Sequence, residues 1–390
     1  GSMQGTPLEE AVRCAQYIIG SLGEDDHASI VVYDDNVKTL VPASRIGNRR
    51  RFLRALADVR SGGCTNLFGG WFEGAGQVAR TADPKAICRV LLLSDGCANR
   101  GMLDTDTITA RCAEMADAGV STSTYGLGRG FNELLMGEMA KAGQGNAYYG
   151  ETADDLMEPF QQEFDLLSAL TGRHVRMGIE TPAGYEISVL NNYANDRHGR
   201  TMLPDLAGGA EVWALAKLRI PARALRADIG DTVHALSVSV GFRDADSAER
   251  QFISHSLDLP VLDSKEFDAL QENEEVRARA QELRSAEYRD AIREASLAGN
   301  WDRVEALLDE AGEEAEGNPW LSSSLDALRT IVRQRDIKRT SKEAYYSAAS
   351  LRTRLSSSEA DFSAYDQDKE LRLPSFLRRK RSMGKRSDKQ

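Results

Sequence analysis

The chain has 390 residues and a net charge of -11, and its length exceeds what one hydrophobic core ordinarily serves, so two or three domains are expected. The acidic balance argues against a general nucleic-acid binder, because phosphate contact needs a basic surface. No apolar run approaches the roughly 20 residues of a membrane-spanning helix, and no leader pattern precedes the first predicted helix. These features predict a cytoplasmic protein without a transmembrane segment.

The first 170 residues alternate between helical and strand patterns. Thr6 and Pro7 are typical of an N-cap followed by proline at the first helical position. The predicted helices are 7–22, 49–59, 67–81, 104–118, 132–141 and 153–170. The predicted strands are 28–33, 37–41, 87–93, 120–127 and 147–149, of which the first two form a hairpin. This alternation predicts an α/β fold with a mostly parallel sheet and helices on both faces.

From Arg173 the apolar period changes to two, which is typical of half-buried strands. After two strands in the region 173–189, further strands are predicted at 201–203, 211–220, 233–242 and 251–259. Antiparallel strands without intervening helices predict a small β-sandwich over 173–262.

The region 263–356 is charged and helical, with predicted helices at 264–298, 301–315 and 319–355. We expect these helices to form a hairpin or a small bundle. Residues 357–390 lose periodicity and end in a basic tail, for which a disordered, solvated segment is the favoured interpretation. Contact with an acidic protein, nucleic acid or an anionic lipid surface is the alternative.

Cysteine and histidine spacing gives no sign of a disulfide framework or a zinc site. The cysteines are odd in number and lack a CxxC pair, so reduced thiols are expected. They are Cys14, Cys64, Cys88, Cys97 and Cys112. The histidines of the β-rich region, which are His174, His198, His234 and His255, have no ligand spacing either.

The strongest candidate site is the stretch 91–99, where a buried apolar strand ends in Ser94, Asp95 and Gly96. Asp95 would lie at the carboxyl edge of the sheet, where open α/β folds bind ligands. The alternative is a solvated aspartate that caps the next turn. Thr65 follows two glycines before another helix, and Ser2 precedes the first helix. If these three loops meet, they offer hard oxygen ligands suited to Mg²⁺, Mn²⁺ or Ca²⁺.

These three loops together resemble the metal-site loops of von Willebrand factor A (VWA) domains of bacterial type. Residues 1–8 are similar to the second half of the family's Asp-x-Ser-Gly-Ser-Met loop, 63–67 to its threonine loop, and 93–99 to its Ser-Asp-Gly loop. The resemblance implies a Rossmann-like domain over 1–172 with a metal-ion-dependent adhesion site (MIDAS). Ser2 and Thr65 would contact the metal, Asp95 would act directly or through water, and a partner's acidic residue would complete the shell.

The chain departs from the family pattern at its start. The family's first strand, and the Asp and first Ser of its opening motif, would lie upstream of Gly1. The expected fold class is therefore α/β: a Rossmann-like VWA domain truncated at its N-terminus, then a β-sandwich and a helical region. We expect an exposed central groove that a strand from another chain could fill, and weak Mg²⁺ affinity. Gly1-Ser2 is either native or a cloning scar, and a scar would make the Ser2 match accidental.

The leading functional hypothesis is a non-enzymatic interaction module, because no nucleophile with an activating base lies near the candidate loops. The resemblance suggests an AAA+ ATPase of the MoxR or magnesium-chelatase type as the partner. One alternative is a metal-independent scaffold with a degenerate site. A less favoured alternative is a metal-dependent hydrolase that uses Asp34, Asp35 or Asp104 as its base.

Overall fold

The structure is a computed structural model that describes residues 6–60, 62–83, 85–208, 212–225 and 227–352. The chain divides into two compact units between Ala169 and Leu170. The predicted boundary at 262 falls inside the second unit, whose strands and helices belong to one body. Ser2 and the predicted tail 357–390 lie outside the described residues.

The first unit alternates helices and strands, which confirms the predicted α/β fold. Its helices are α1 (Thr6–Ser21), α2 (Arg50–Ala57), α3 (Leu67–Arg80), α4 (Thr105–Asp117), α5 (Glu133–Ala142) and α6 (Ala153–Ser168). Its strands are β1 (His27–Tyr33), β2 (Val37–Arg45), β3 (Cys88–Gly96), β4 (Val120–Gly130) and β5 (Gln144–Gly150). Side-chain caps start several of these helices: Asn66, Asp104 and Asn132 each accept a backbone N–H from the first turn.

The strands of the first unit form two separate sheets. β1 and β2 are an antiparallel pair, whereas β3, β4 and β5 are parallel in that order. Between β1 and β3 lies a groove of about 1400 Å³, lined by both strands and by α1 and α3. Within the described ranges, no strand pairs with the edges of β1 and β3 that border this groove. In the described residues, the groove lies where a further strand would join β1 to β3.

A buried polar cluster fixes α6 to the parallel sheet. Glu163 of α6 is fully buried and forms an ion pair with Arg89 of β3. The same carboxylate accepts hydrogen bonds from Ser123 Oγ (2.6 Å), Asn146 Nδ2 (2.8 Å) and Tyr148 Oη (2.8 Å). All three parallel strands thus donate to one side chain, which defines the position of the helix.

The second unit combines antiparallel strands with a helical region. Its strands are β6 (Leu170–Glu180), β7 (Glu186–Val189), β8 (Thr201–Met202), β9 (Leu206–Ala207), β10 (Ala216–Arg219), β11 (Thr232–Asp244) and β12 (Arg250–Pro260). One sheet has the order β12-β11-β6-β8, with β9 also pairing with β6, and β10 pairs with β7. The helices are α7 (Ser264–Asp268), α8 (Glu274–Leu297), α9 (Trp301–Glu314), α10 (Pro319–Val332) and α11 (Ile337–Arg352). None of the helices in the described ranges is both long enough and apolar enough to cross a membrane.

Three predicted elements of the second unit are wrong in extent. The helix expected over 264–298 is interrupted, because the Asn273 side chain accepts the Val276 N–H and caps a new helix. The helix expected over 319–355 breaks at Arg335, whose φ of 49° is incompatible with a right-handed helix, and Asp336 then caps α11. The strand expected over 211–220 begins only at Ala216 in the described residues.

The helical region contains a fully buried arginine, Arg289. It donates hydrogen bonds to the Ser285 carbonyl oxygen (3.0 Å), to Ser285 Oγ and to Ser324 Oγ (2.8 Å), all of them neutral acceptors. Burial lowers the pKa of this guanidinium to about 10. In the part of the chain that the structure describes, no carboxylate forms an ion pair with it.

We expect the change Arg289→Met to raise the free energy of unfolding by about 1–2 kcal/mol, because it removes a desolvated charge while retaining most of the packing volume. Chemical denaturation at pH 7 measures this change. Arg303→Met removes a half-exposed arginine of α9 and should have little effect. A destabilised Arg289→Met protein would show that the three hydrogen bonds outweigh the desolvation cost.

Candidate functional site

Asp95 lies at the carboxyl end of β3, as the sequence predicts. The residue is 9% exposed, and the neighbouring Ser94 Oγ donates to the Gly96 carbonyl oxygen at 3.1 Å. The end of β4 passes so close that a Cβ on Gly130 would lie 2.5 Å from the Asp95 carbonyl oxygen. Glycine at position 130 is therefore required for β4 to run alongside the Asp95 loop.

Thr65 lies on the loop before α3, and Asn99 attaches that loop to the Asp95 loop. The Thr65 N–H donates to Asn99 Oδ1 at 2.7 Å, and the Asn99 N–H donates to the Thr65 carbonyl oxygen at 3.2 Å. The next residue, Asn66, donates its N–H to the Asp34 carbonyl oxygen at 2.9 Å. The loops after β1 and β3 therefore hold the Thr65 loop from two sides.

Asn99 is a residue whose role the sequence did not reveal. It lies within the stretch 91–99, but its pairing with Thr65 joins residues 34 positions apart. A polar residue shortly after a strand-end carboxylate is common in loops, so only the juxtaposition of the two loops identifies it.

The loop after β1 carries an ion pair that neutralises charge near the site. Arg100 Nη1 lies 2.5 Å from Asp35 Oδ1. The hydrogen bond from Arg100, together with bonds from Cys64, lowers the pKa of the Asp35 carboxyl. The hydrogen bond between the Cys64 thiol and the Asp35 carboxylate raises the pKa of that thiol. Cys64 therefore stays in its protonated, weakly nucleophilic form.

Tyr33 bridges the groove at the end where β1 and β3 terminate. Its hydroxyl donates to the Leu93 carbonyl oxygen of β3 at 2.9 Å. Burial raises the pKa of this phenol to about 12, so it remains a hydrogen-bond donor at neutral pH. The ring packs against Gly70 of α3, where a Cβ would lie 2.3 Å from a ring carbon. One tyrosine therefore links strands that are not themselves paired.

Thr65 and Asp95, two of the three predicted metal-site residues, line the same groove, and so does Asp34. Ser2 lies outside the described residues. A threonine hydroxyl and an aspartate carboxylate are hard oxygen donors, which fit Mg²⁺, Mn²⁺ or Ca²⁺ better than zinc. Within the described ranges, no group of three or more His, Cys, Asp or Glu side chains could hold a metal ion. The described donor set therefore fits a hard cation but supplies only part of a coordination shell.

Sequence comparison finds the same family that the loops resemble. Residues 1–162 match the family model of the von Willebrand factor type A domain. The uncharacterized protein sll0103 of Synechocystis sp. is 26% identical over 185 residues, which are 47% of this chain and 43% of that protein. The uncharacterized protein YfbK of Escherichia coli is 24% identical over 322 residues, covering 77% of this chain and 54% of that protein. The chain thus spans about half the length of these two curated relatives.

Two solved structures share the fold over 90% of this chain and 86% of their own. They are a von Willebrand factor type A protein from Catenulispora acidiphila (TM-score 0.67, 16% identity) and the ArnB paralogue VWA2 from Sulfolobus acidocaldarius (TM-score 0.59, 17% identity). VWA domains are protein-interaction modules and commonly bind a divalent metal at a MIDAS. Residues 1–162 of this chain are therefore a von Willebrand factor type A domain.

Proposed function

We propose that the VWA domain is a non-enzymatic interaction module that binds an acidic partner side chain through a divalent cation, with Mg²⁺ as the first candidate. Ser2, Thr65 and Asp95 would hold the cation. The observation that supports this proposal is the reciprocal Thr65–Asn99 hydrogen bonding, which keeps the Thr65 and Asp95 loops side by side at one groove.

The donor chemistry explains why the partner should be acidic. Thr65 and Ser2 are neutral, and Asp95 contributes one negative charge, so a divalent cation on this set retains net positive charge. A bound cation would supply an open coordination position for a carboxylate. The Asp35–Arg100 ion pair adds little net charge nearby and leaves this preference unchanged.

The geometry disfavours two of the three candidate bases of the hydrolase alternative and leaves Asp34, which lines the groove. Asp35 is engaged by Arg100, and Asp104 accepts hydrogen bonds from the Thr107 hydroxyl and N–H while it caps α4. The Arg100 hydrogen bond lowers the pKa of Asp35, and the Thr107 hydrogen bonds lower that of Asp104, so both carboxylates are weaker bases. The metal-independent scaffold is the stronger alternative, because the described donors are only one carboxylate and one hydroxyl.

Isothermal titration of the full chain with Mg²⁺ distinguishes the metal-dependent interaction module from the metal-independent scaffold. We expect Asp95→Ala and Thr65→Ala each to weaken binding by at least about tenfold, because each removes a direct or water-mediated ligand. Asp106→Ala, which removes an exposed carboxylate from the first turn of α4, should bind like the unchanged chain. Binding that neither site variant alters, or no binding by the unchanged chain, would favour the scaffold.

The proposal also names a class of protein partner, and this choice rests on the family resemblance alone. An AAA+ ATPase of MoxR type, for which this chain would be an adaptor, should bind in the presence of Mg²⁺ and dissociate when EDTA is added. The Asp95→Ala variant should bind it weakly under both conditions. Surface plasmon resonance on the purified pair measures this, and Mg²⁺-independent binding would contradict a metal-mediated contact.

A further inference from the structure

The strand β12 lies at the edge of the larger sheet of the second unit and is exposed over almost its whole length. It pairs with β11 over its whole length, from Arg250 opposite Arg243 to Pro260 opposite Thr232. Its opposite edge has no strand partner among the described residues. All its residues except Leu259 are exposed. An uncovered edge of this length is a template for pairing with another strand.

Three large apolar side chains of β12 are in solvent: Phe252 is 70% exposed, Ile253 62% and Leu257 43%. Phe252 lies on one face of the sheet, and Ile253 and Leu257 on the other, because side chains alternate along a strand. The face of Ile253 continues the side on which Val240, its partner on β11, packs against the core. A strand added at this edge would bring its own side chains beside these residues on both faces of the sheet.

The interior of β12 lacks the features that usually block edge pairing. Residues 251–257 contain no proline, lysine, aspartate or glutamate. The strand's charges lie near its two ends, with Arg250 at the start and Asp258 close to the finish. Natural edge strands that must remain single commonly carry interior charges or prolines, and this edge does not.

The strand is complementary to itself. In an antiparallel pair of two β12 strands centred on Ser254, Arg250 of each copy lies opposite Asp258 of the other. Phe252 then lies opposite Ser256, and the two Ile253 side chains become diagonal neighbours within contact distance. Asp258 Oδ1 contacts His234 Nδ1 at 2.9 Å within the chain, which leaves Oδ2 for the arginine.

We propose that two copies of this chain associate through β12, antiparallel and two-fold symmetric, with Arg250 opposite Asp258 of the second copy. The pairing makes one continuous sheet from the two β12-β11-β6-β8 sheets and buries Phe252, Ile253 and Leu257. The strand β12 belongs to the second unit and the Thr65–Asp95 groove to the first, so this proposal does not depend on the function proposed for that groove.

Sedimentation velocity of the full chain over a range of concentrations tests the proposal. The unchanged chain should show a concentration-dependent dimer. Arg250→Asp should raise the dimer dissociation constant by at least about tenfold, because it replaces two attractive pairs with two repulsive ones. The double variant Arg250→Asp/Asp258→Arg should recover most of the affinity, since the exchange restores both pairs in this register.

Arg223→Asp is the matched control, because it reverses the charge of an exposed arginine of the same unit that is not part of β12 or β11. It should dimerise like the unchanged chain, and circular dichroism should show that all variants are folded. A monomer at every concentration would overturn the proposal. A dimer that Arg250→Asp does not weaken, or that the double variant does not restore, would overturn it too.

Discussion

Replacing Glu163 with alanine should lower the free energy of unfolding of the first unit by about 3–5 kcal/mol. The change leaves the Arg89 guanidinium, which is 8% exposed, without its carboxylate partner. It also removes the acceptor of the Ser123, Asn146 and Tyr148 hydrogen bonds. Both losses occur in the interior, where unpaired polar groups are most costly. Thermal and urea unfolding of the full chain measure the effect.

The matched control is Glu114→Ala, because Glu114 belongs to an exposed Arg111–Glu114 pair on α4 and should contribute little. The double change Arg89→Met/Glu163→Met should recover part of the stability, since removing both charges leaves neither unpaired. An effect of Glu163→Ala no larger than that of Glu114→Ala would show that the buried pair is dispensable.

The pH dependence gives a second measurement on the same residue. Burial acts to raise the pKa of Glu163, but the Arg89 charge and the Ser123 and Asn146 hydrogen bonds outweigh it and hold the pKa below the ordinary value of 4.5. A lowered carboxyl pKa stabilises the fold above the unfolded-state value, and that stabilisation is lost as the pH falls through the folded-state value. The unchanged chain should therefore have a higher free energy of unfolding than Glu163→Gln at neutral pH, and this difference should shrink as the pH falls below about 4.5.

A peptide strand that fills the groove between β1 and β3 should raise the melting temperature of the first unit by about 5–10 °C. Two strand edges that have no partner among the described residues line this groove, together with apolar side chains of α1, β1 and β3. A ligand at about one hundred times its dissociation constant stabilises a fold by about 2.7 kcal/mol. In a unit of this size each kcal/mol shifts the melting temperature by about 2–4 °C. Differential scanning calorimetry with a valine- and isoleucine-rich seven-residue peptide measures the shift.

The same peptide with proline at its centre is the control, because proline cannot donate to a strand ladder and should not fill the groove. The transition of the second unit should be unaffected by either peptide. An equal shift with both peptides would indicate unspecific apolar binding, and no shift with either would show that the groove does not accept a strand.

The sequence predicted which residues of the site lie at the ends of strands and in the loops that follow them. Asp95 follows a continuous apolar run, and Thr65 follows glycines before a helix, so both were expected at the carboxyl edge of the sheet. The contacts that position them could not be predicted. The Thr65–Asn99, Tyr33–Leu93 and Asp35–Arg100 pairs join residues that are 34, 60 and 65 positions apart. No local pattern encodes such pairs.

The sequence alone determined the order and type of the elements in the first unit, because apolar spacing and capping residues act within a few positions. It also indicated which residues stand at the strand ends. Only the tertiary structure decided that β1 and β3 border an open groove, that Glu163 collects donors from three strands, and that Arg335 breaks a helix at a φ of 49°. Strand order, burial of charge and an unfavourable backbone angle are set by packing between distant segments, and packing can override local preference.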